Sequence, residues 1–156
     1  MALKVGDKAP QFRLFDTERK ERALSEFLSK KTVLVFYPGA FTGVCTKELC
    51  TLRDSMSNFN TMNAQVVGVS VDGPFANHAF ASANNLSFPI LCDFTRTVSK
   101  QYCGLHENFA GVQGYTAAKR SVFVLDTKGI VKYAWISENP GVEPPYDEVN
   151  KAVASF

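Results

Sequence analysis

The sequence has no apolar run that approaches the roughly 20 residues needed to cross a bilayer. It also has no excess of charge of either sign, since 17 Lys and Arg stand against 15 Asp and Glu. A net charge of +2 predicts no surface for nucleic acid or for an anionic membrane. Residues 1–16 carry charges at Lys4, Asp7 and Lys8 and lack the apolar core of a signal peptide, so we expect a cytoplasmic protein.

Several chemistry-bearing motifs are missing as well. No Walker loop and no G-x-G-x-x-G motif occurs, which leaves nucleotide binding without support. The four cysteines, at positions 45, 50, 92 and 103, are too sparse for a disulfide-stapled scaffold. No pair has the Cys-x-x-Cys spacing typical of zinc sites and of thioredoxin-like redox motifs. We therefore expect neither a metal nor a cofactor, and we interpret His78 and His106 as surface or structural residues.

The residues that are present describe an ordinary globular chain. Hydrophobic residues make up 46% and aromatic residues 12% of its 156 positions, enough to build a core. No internal repeat, low-complexity tract or linker divides the sequence. We therefore expect one domain over residues 1–156.

Runs of β-branched and aromatic residues alternate with helical periodicity along the chain. The patterns predict strands over 31–36, 65–71 and 88–91, and a hairpin over 121–126 and 130–135. They predict helices over 75–84, 95–103 and 146–156, and one from Cys45 with an apolar stripe at Leu49, Leu52, Met56 and Phe59. Residues 104–118 read as a loop, and 10–28 are ambiguous between a hairpin and irregular structure. Such alternation predicts an α/β fold with a central mixed β-sheet flanked by helices.

The segment Tyr37-Pro38-Gly39-Ala40-Phe41-Thr42-Gly43-Val44-Cys45 follows a predicted strand and opens a predicted helix. A thiol in a first helical turn lies among free backbone N–H groups at the positive end of the helix dipole, and both favour the thiolate. Thr42 could donate its hydroxyl to a bound oxygen or to the sulfur. Alternatively, Cys45 is a small buried apolar residue and Thr42 a helix N-cap. Position alone leaves these interpretations open.

The spacing of Pro38, Thr42 and Cys45 resembles the Pro-x-x-x-Thr-x-x-Cys signature of the peroxiredoxins. The surrounding FYPGAFTGVCTKELCTLRD, the N-terminal VGDKAPQF, the VVGVSVD strand and the KRSVFVLDTKGIV segment are also similar to that family. The resemblance covers most of the chain. It implies a thioredoxin-like fold and the reduction of hydrogen peroxide and organic hydroperoxides.

The resemblance also implies a role for individual residues. Cys45 would be the peroxidatic cysteine, Thr42 would hold the peroxide, and Pro38 would shield the thiolate from water. Arg120 would be the active-site arginine, although its sequence context alone favours a surface residue at a strand start. Glu48 matches an acidic position often found three residues after the peroxidatic cysteine.

The spacing from Cys45 to Cys50 resembles the peroxiredoxin Q, or bacterioferritin-comigratory, branch, in which Cys50 would resolve the oxidised Cys45. On an intact helix, residues five apart point about 140° away from each other and differ in height by ~7.5 Å. Their Cβ atoms would then be roughly 10 Å apart, against ~4 Å in a disulfide, so the first turns must unwind. Cys50 could instead be a spectator thiol. Cys92 and Cys103 are interpreted first as core residues, although either could resolve.

The implied partners are a peroxide and a thioredoxin-like or other thiol reductant, with the protein a monomer or a homodimer. Two other classes of function stay open. One is a thioredoxin-like disulfide oxidoreductase, which the missing Cys-x-x-Cys disfavours. The other is a redox-dependent chaperone or binding module, which could coexist with a peroxidase.

Overall fold

The computed structural model describes residues 2–156 and contains a seven-stranded mixed sheet. The described residues form nine strands: β1 (Arg13–Asp16), β2 (Glu21–Ala23), β3 (Lys31–Phe36), β4 (Ala64–Ser70), β5 (Ile90–Cys92), β6 (Leu105–His106), β7 (Ala117–Ala118), β8 (Ser121–Leu125) and β9 (Val131–Ile136). The large sheet has the order β2-β1-β5-β4-β3-β8-β9, and β6 pairs with β7 in a separate ribbon. The predicted mixed sheet is confirmed.

Helices follow the central strands and close the chain. The described residues form five α-helices: α1 (Gly43–Asp54), α2 (Met56–Thr61), α3 (Pro74–Ala83), α4 (Thr97–Tyr102) and α5 (Tyr146–Ala154). Short 3-10 helices occupy Leu24–Phe27 and Phe109–Gly111. None of the helices within residues 2–156 is long and apolar enough to span a membrane.

Three parallel strands, β3, β4 and β5, form the middle of the sheet. Parallel strands end at the same edge, so the segments that follow them meet there. β8 runs antiparallel to β3, with Ser121 opposite Phe36, so the residue before β8 reaches the same edge. The predicted hairpin is the antiparallel pair β8–β9, and an N-terminal hairpin, β1–β2, resolves the ambiguous region.

Both faces of the sheet are buried, and alternate residues of β3 divide between them. Leu34 and Phe36 pack in one core cluster with Tyr102 of α4. Val33 and Val35 pack in the other. The second cluster is covered by residues from α1, α2, α3 and α5, including Leu49, Leu52, Phe59, Phe80, Val149 and Val153. The helix that carries Cys45 is thus fixed on the sheet by its apolar stripe.

Some predicted boundaries were wrong. The helix expected from Cys45 begins at Gly43, and a break at Ser55 separates it from α2. Residues 104–118 include β6, β7 and a 3-10 turn, because two-residue strands leave no periodicity to detect. The third strand lies at Ile90–Cys92, later than the predicted 88–91.

Candidate active site

The sheet brings Arg120 and Cys45 together from 75 residues apart. Arg120 immediately precedes β8, at the edge where β3 ends. From that edge the chain continues through Pro38 to the N-terminus of α1, where Cys45 occupies the first turn. Neither local spacing nor helical periodicity could supply this contact, because the pairing of β3 with β8 creates it.

The guanidinium of Arg120 lies between a thiol and a carboxylate. Its Nη2 donates to Cys45 Sγ at 3.1 Å, and its Nη1 donates to Glu48 Oε1 at 2.6 Å. Cys45 and Glu48 are fully buried and Arg120 is 1% exposed. The surface alternative for Arg120 is therefore wrong. Cys45 and Glu48 are three residues apart, so they share one face of α1 and meet the same side chain.

Pro140 fixes the third side of the guanidinium. Its carbonyl oxygen accepts from Arg120 Nη2 at 2.8 Å and from Nε at 3.3 Å. Pro140 lies in an irregular segment, residues 137–145, that we call the strap. Nothing in the sequence marks this carbonyl, because a backbone acceptor carries no residue signature. With Cys45, Glu48 and Pro140 as partners, the orientation of Arg120 is set on three sides.

Burial and neighbouring charges shift the pKa values of Glu48 and Arg120 in opposite directions. Burial raises the pKa of Glu48 to about 7, against the opposing effect of Arg120. Glu48 Oε2 is buried without a hydrogen-bond partner among the described residues, so the carboxylate is only half satisfied. Burial alone would lower the pKa of Arg120, but the charges of Glu48 and Cys45 raise it. The guanidinium therefore stays positively charged beside the thiol.

The loop between β3 and α1 forms the rest of the site. Pro38 and Gly39 are buried, whereas Thr42 is half-buried. Thr42 occupies the N-cap position with extended backbone, but its side chain makes no cap bond. Its hydroxyl donates instead to the carbonyl of Gly39 at 2.9 Å. The Thr42 oxygen therefore keeps lone pairs that can accept a hydrogen bond from a ligand.

An aromatic residue, Tyr115, also borders this loop. A Cβ placed on Gly39 would lie 3.6 Å from both Thr42 Cγ2 and the hydroxyl of Tyr115. Tyr115 comes from the segment between β6 and β7, within the predicted loop over 104–118. The sequence offered no signal for it. Phe41, within this loop, lies in the left-handed region at φ 64° and is 57% exposed.

Comparison with known proteins identifies the family to which this arrangement belongs. Residues 5–134 match the AhpC/TSA family. This chain is a member of the AhpC/TSA family. A peroxiredoxin bcp of Coxiella burnetii is 34% identical over 86% of this chain and 89% of that protein. Peroxiredoxin Q of Populus jackii is 38% identical over 81% of this chain, which spans 57% of that protein. Proteins so named are thiol-dependent peroxidases.

Solved structures agree with this membership. Peroxidoxin BcpB of Mycobacterium tuberculosis superposes with a TM-score of 0.86 at 33% identity, over 99% of this chain and 98% of that one. A peroxiredoxin-like protein of Aquifex aeolicus gives the same TM-score at 28% identity, over 99% and 88%. Peroxiredoxins have a thioredoxin fold, so the predicted fold class is confirmed.

The other three cysteines of this AhpC/TSA member occupy unlike environments. Cys50 is half-buried, and its thiol donates to Asn84 Oδ1 at 3.6 Å. Cys92 and Cys103 are 1% and 2% exposed, as expected of core residues. Burial raises the pKa of Cys92, and it raises the pKa of Cys103 to about 12. All four cysteines are free thiols in this structure.

The strap also contacts α1 directly. Glu143 in the strap pairs with Lys47 Nζ at 3.1 Å and accepts from the Tyr146 hydroxyl at 2.7 Å. Lys47 lies in α1 between Cys45 and Cys50. Sequence reasoning gave these three residues no role, and only the packing of α5 against the sheet brings them together. The strap thus connects the guanidinium of Arg120, helix α1 and helix α5.

Proposed function

We propose that this chain reduces hydrogen peroxide and organic hydroperoxides with Cys45 as the attacking thiol. The observation that carries the proposal is the 3.1 Å contact between Arg120 Nη2 and Cys45 Sγ in the first turn of a helix. A fixed cation and the free N–H groups of a helix N-terminus both favour the thiolate, which is the nucleophile. Membership of a family of thiol peroxidases supports the same assignment.

In the first step, the thiolate of Cys45 attacks one oxygen of the peroxide. A sulfur–oxygen bond forms, the O–O bond breaks, and the second oxygen leaves as alkoxide or hydroxide and takes up a proton. Arg120 stabilises the negative charge that develops on the leaving oxygen, because its donors are already held in place by Glu48 and Pro140. The free lone pairs of Thr42 orient the peroxide O–H, and buried Pro38 excludes water.

In the second step, the sulfenic acid on Cys45 condenses with the Cys50 thiol. A disulfide forms and the sulfenic oxygen leaves as water. The environments of the cysteines support this choice, since Cys50 is accessible while burial holds Cys92 and Cys103 as thiols. A thioredoxin-like dithiol then supplies two electrons and two protons, which return both cysteines to the reduced state.

The test is mass spectrometry of the peptides after one equivalent of peroxide, without reductant. We expect a Cys45–Cys50 disulfide in the wild type and a sulfenic acid on Cys45 in the Cys50→Ser variant. Cys92→Ser serves as the matched control and should leave the wild-type pairing unchanged. Oxidation that begins on another cysteine would overturn the proposal. A disulfide from Cys45 to Cys92 or Cys103 would keep the first step and refute the resolving role of Cys50.

A further inference from the structure

A chain of polar side chains, most of them buried, contacts the loop between β3 and α1 that holds the candidate peroxide site. The parallel strands β3, β4 and β5 end at one edge, and each ends in or is followed by a polar group. We call this set the edge cluster; its members are Tyr37, Ser70, Asp72, Asn77 and Cys92. Tyr37, Ser70 and Asn77 are fully buried, which is costly unless each polar atom finds a partner.

Hydrogen bonds connect the edge cluster into one network. Tyr37 donates to Asn77 Oδ1 at 2.8 Å, and Asn77 Nδ2 donates to Ser70 Oγ at 3.0 Å. The same nitrogen lies 3.4 Å from Cys92 Sγ. Ser70 in turn donates to Asp72 Oδ2 at 2.8 Å. The network leads from Tyr37, directly after β3, to the carboxylate of Asp72 and fixes the position of that carboxylate.

The same carboxylate oxygen holds the backbone of the loop. Asp72 Oδ2 accepts from the N–H of Ala40 at 2.8 Å. The peptide that carries this N–H also carries the carbonyl of Gly39, which accepts the Thr42 hydroxyl at 2.9 Å. In a trans peptide the N–H and the C=O point in opposite directions. Asp72 on one side of the peptide therefore determines where the carbonyl points for Thr42 on the other.

We propose that Asp72 is a positioning residue of the peroxide site. By holding the Gly39–Ala40 peptide, it sets the direction of the Thr42 hydroxyl and leaves the lone pairs of that oxygen aimed at the ligand. The next residue, Phe41, has a left-handed backbone, so the loop needs such an anchor to keep its conformation. The proposal rests on the proposed function, since it concerns the reaction of Cys45 with peroxide.

The test compares two rates in the full chain: reaction of Cys45 with hydrogen peroxide, and its alkylation by iodoacetamide, which forms no oxyanion. Asp72→Ala should slow the peroxide reaction by about tenfold to a hundredfold, the cost of a small misplacement in a reactive site. Alkylation should change little. Asp72→Asn keeps an acceptor for the Ala40 N–H and should restore most of the peroxide rate.

Asp126→Ala is the matched control. Asp126 also accepts hydrogen bonds from backbone N–H groups, those of Lys128 and Ile130, at 2.9 Å each. It lies in the turn after β8, at the end of that strand opposite Arg120. It should leave both rates unchanged even where it lowers stability. If Asp72→Ala does not fold, Asp72→Glu, which displaces the carboxylate by one methylene, should show the same selective loss.

Three results would overturn the proposal. The first is an Asp72→Ala variant that reacts with peroxide at the wild-type rate. The second is an Asp72→Ala variant that loses alkylation and peroxide reactivity equally. The third is an Asp72→Asn variant that reacts with peroxide as slowly as Asp72→Ala. A wild-type protein that is inert to peroxide overturns the proposed function together with this inference. A reactive wild type with an unaffected Asp72→Ala variant overturns this inference alone.

Discussion

One guanidinium, that of Arg120, contacts two acidic groups in this site. Arg120 contacts the Cys45 thiol and the Glu48 carboxyl, and both are removed from water. Two negative charges around one cation would leave a buried net charge, which is costly in a medium of low dielectric constant. The raised pKa of Glu48, caused by burial, relieves this cost because the carboxyl holds its proton up to about pH 7.

This arrangement predicts how stability depends on pH. The pKa of Glu48 rises from 4.5 to about 7 on folding, so the folded state binds more protons between these values. The stability contributed by Glu48 is present below about pH 4.5 and is lost as the pH rises through 7. Glu48→Gln removes this titration. The free energy of unfolding of the variant, relative to that of the wild type, should therefore rise by up to about 3 kcal/mol as the pH increases from 4.5 to 7.

Urea unfolding at several pH values between 4.5 and 8 measures the difference. The informative quantity is the slope of this difference with pH, because a changed contact with Arg120 shifts the absolute stability as well. Glu107→Gln, at an exposed position, is the control and should give a difference that does not vary with pH. A pH-independent difference for Glu48→Gln would contradict the raised pKa.

Helix α1 holds Cys45 and Cys50 apart. Its far end is anchored, since Arg53 Nη1 donates to the backbone oxygen of Asn84 at 2.6 Å and Cys50 contacts the side chain of the same residue. Its middle is attached to the strap through Lys47 and Glu143. The first turn, from Gly43, contacts Arg120 through Cys45, whose sulfur changes chemically on oxidation. Unwinding from that end would bring Cys45 toward Cys50 while Arg53 stays anchored.

Hydrogen exchange tests this motion. If Cys45 and Cys50 join, amide exchange should rise over residues 43–50 in the oxidised protein, because an intact helix keeps the two sulfurs too far apart. Amides of β4 (Ala64–Ser70), in the middle of the sheet, should stay protected. Cys50→Ser, treated with the same peroxide, is the matched control and should keep α1 protected. An oxidised wild type whose α1 exchanges as slowly as the reduced form would refute the pairing.

The break between α1 and α2 is a feature that apolar periodicity does not predict. The apolar spacing from Cys45 to Phe59 predicted a helix on the correct face, but it could not show the break at Ser55. A break changes backbone direction without interrupting an apolar stripe, so periodicity passes over it. The β6–β7 ribbon was missed because each of its strands has only two residues. The sequence therefore did not predict that Tyr115 lies next to Gly39.

The alternation of strands and helices, together with the hairpin, was enough to predict the mixed sheet. The contact of Arg120 with Cys45 was not accessible from local pattern, because it depends on strand order in the sheet. Resemblance to the peroxiredoxins supplied Arg120 as a candidate, yet it gave no partner for Glu48 and no place for Pro140 or Asp72. Those groups act through long-range hydrogen bonds, which leave no mark on the sequence.

Cys45 is the group that we propose attacks peroxide. The most direct measurement mixes one equivalent of hydrogen peroxide with fully reduced protein in the absence of reductant and follows peroxide loss in a single turnover. The wild type and Cys50→Ser should consume peroxide at the same rate, because Cys50 takes no part in the first step. Cys45→Ser should fold normally and consume none above the buffer rate. Peroxide loss in Cys45→Ser at the wild-type rate would show that another group attacks peroxide.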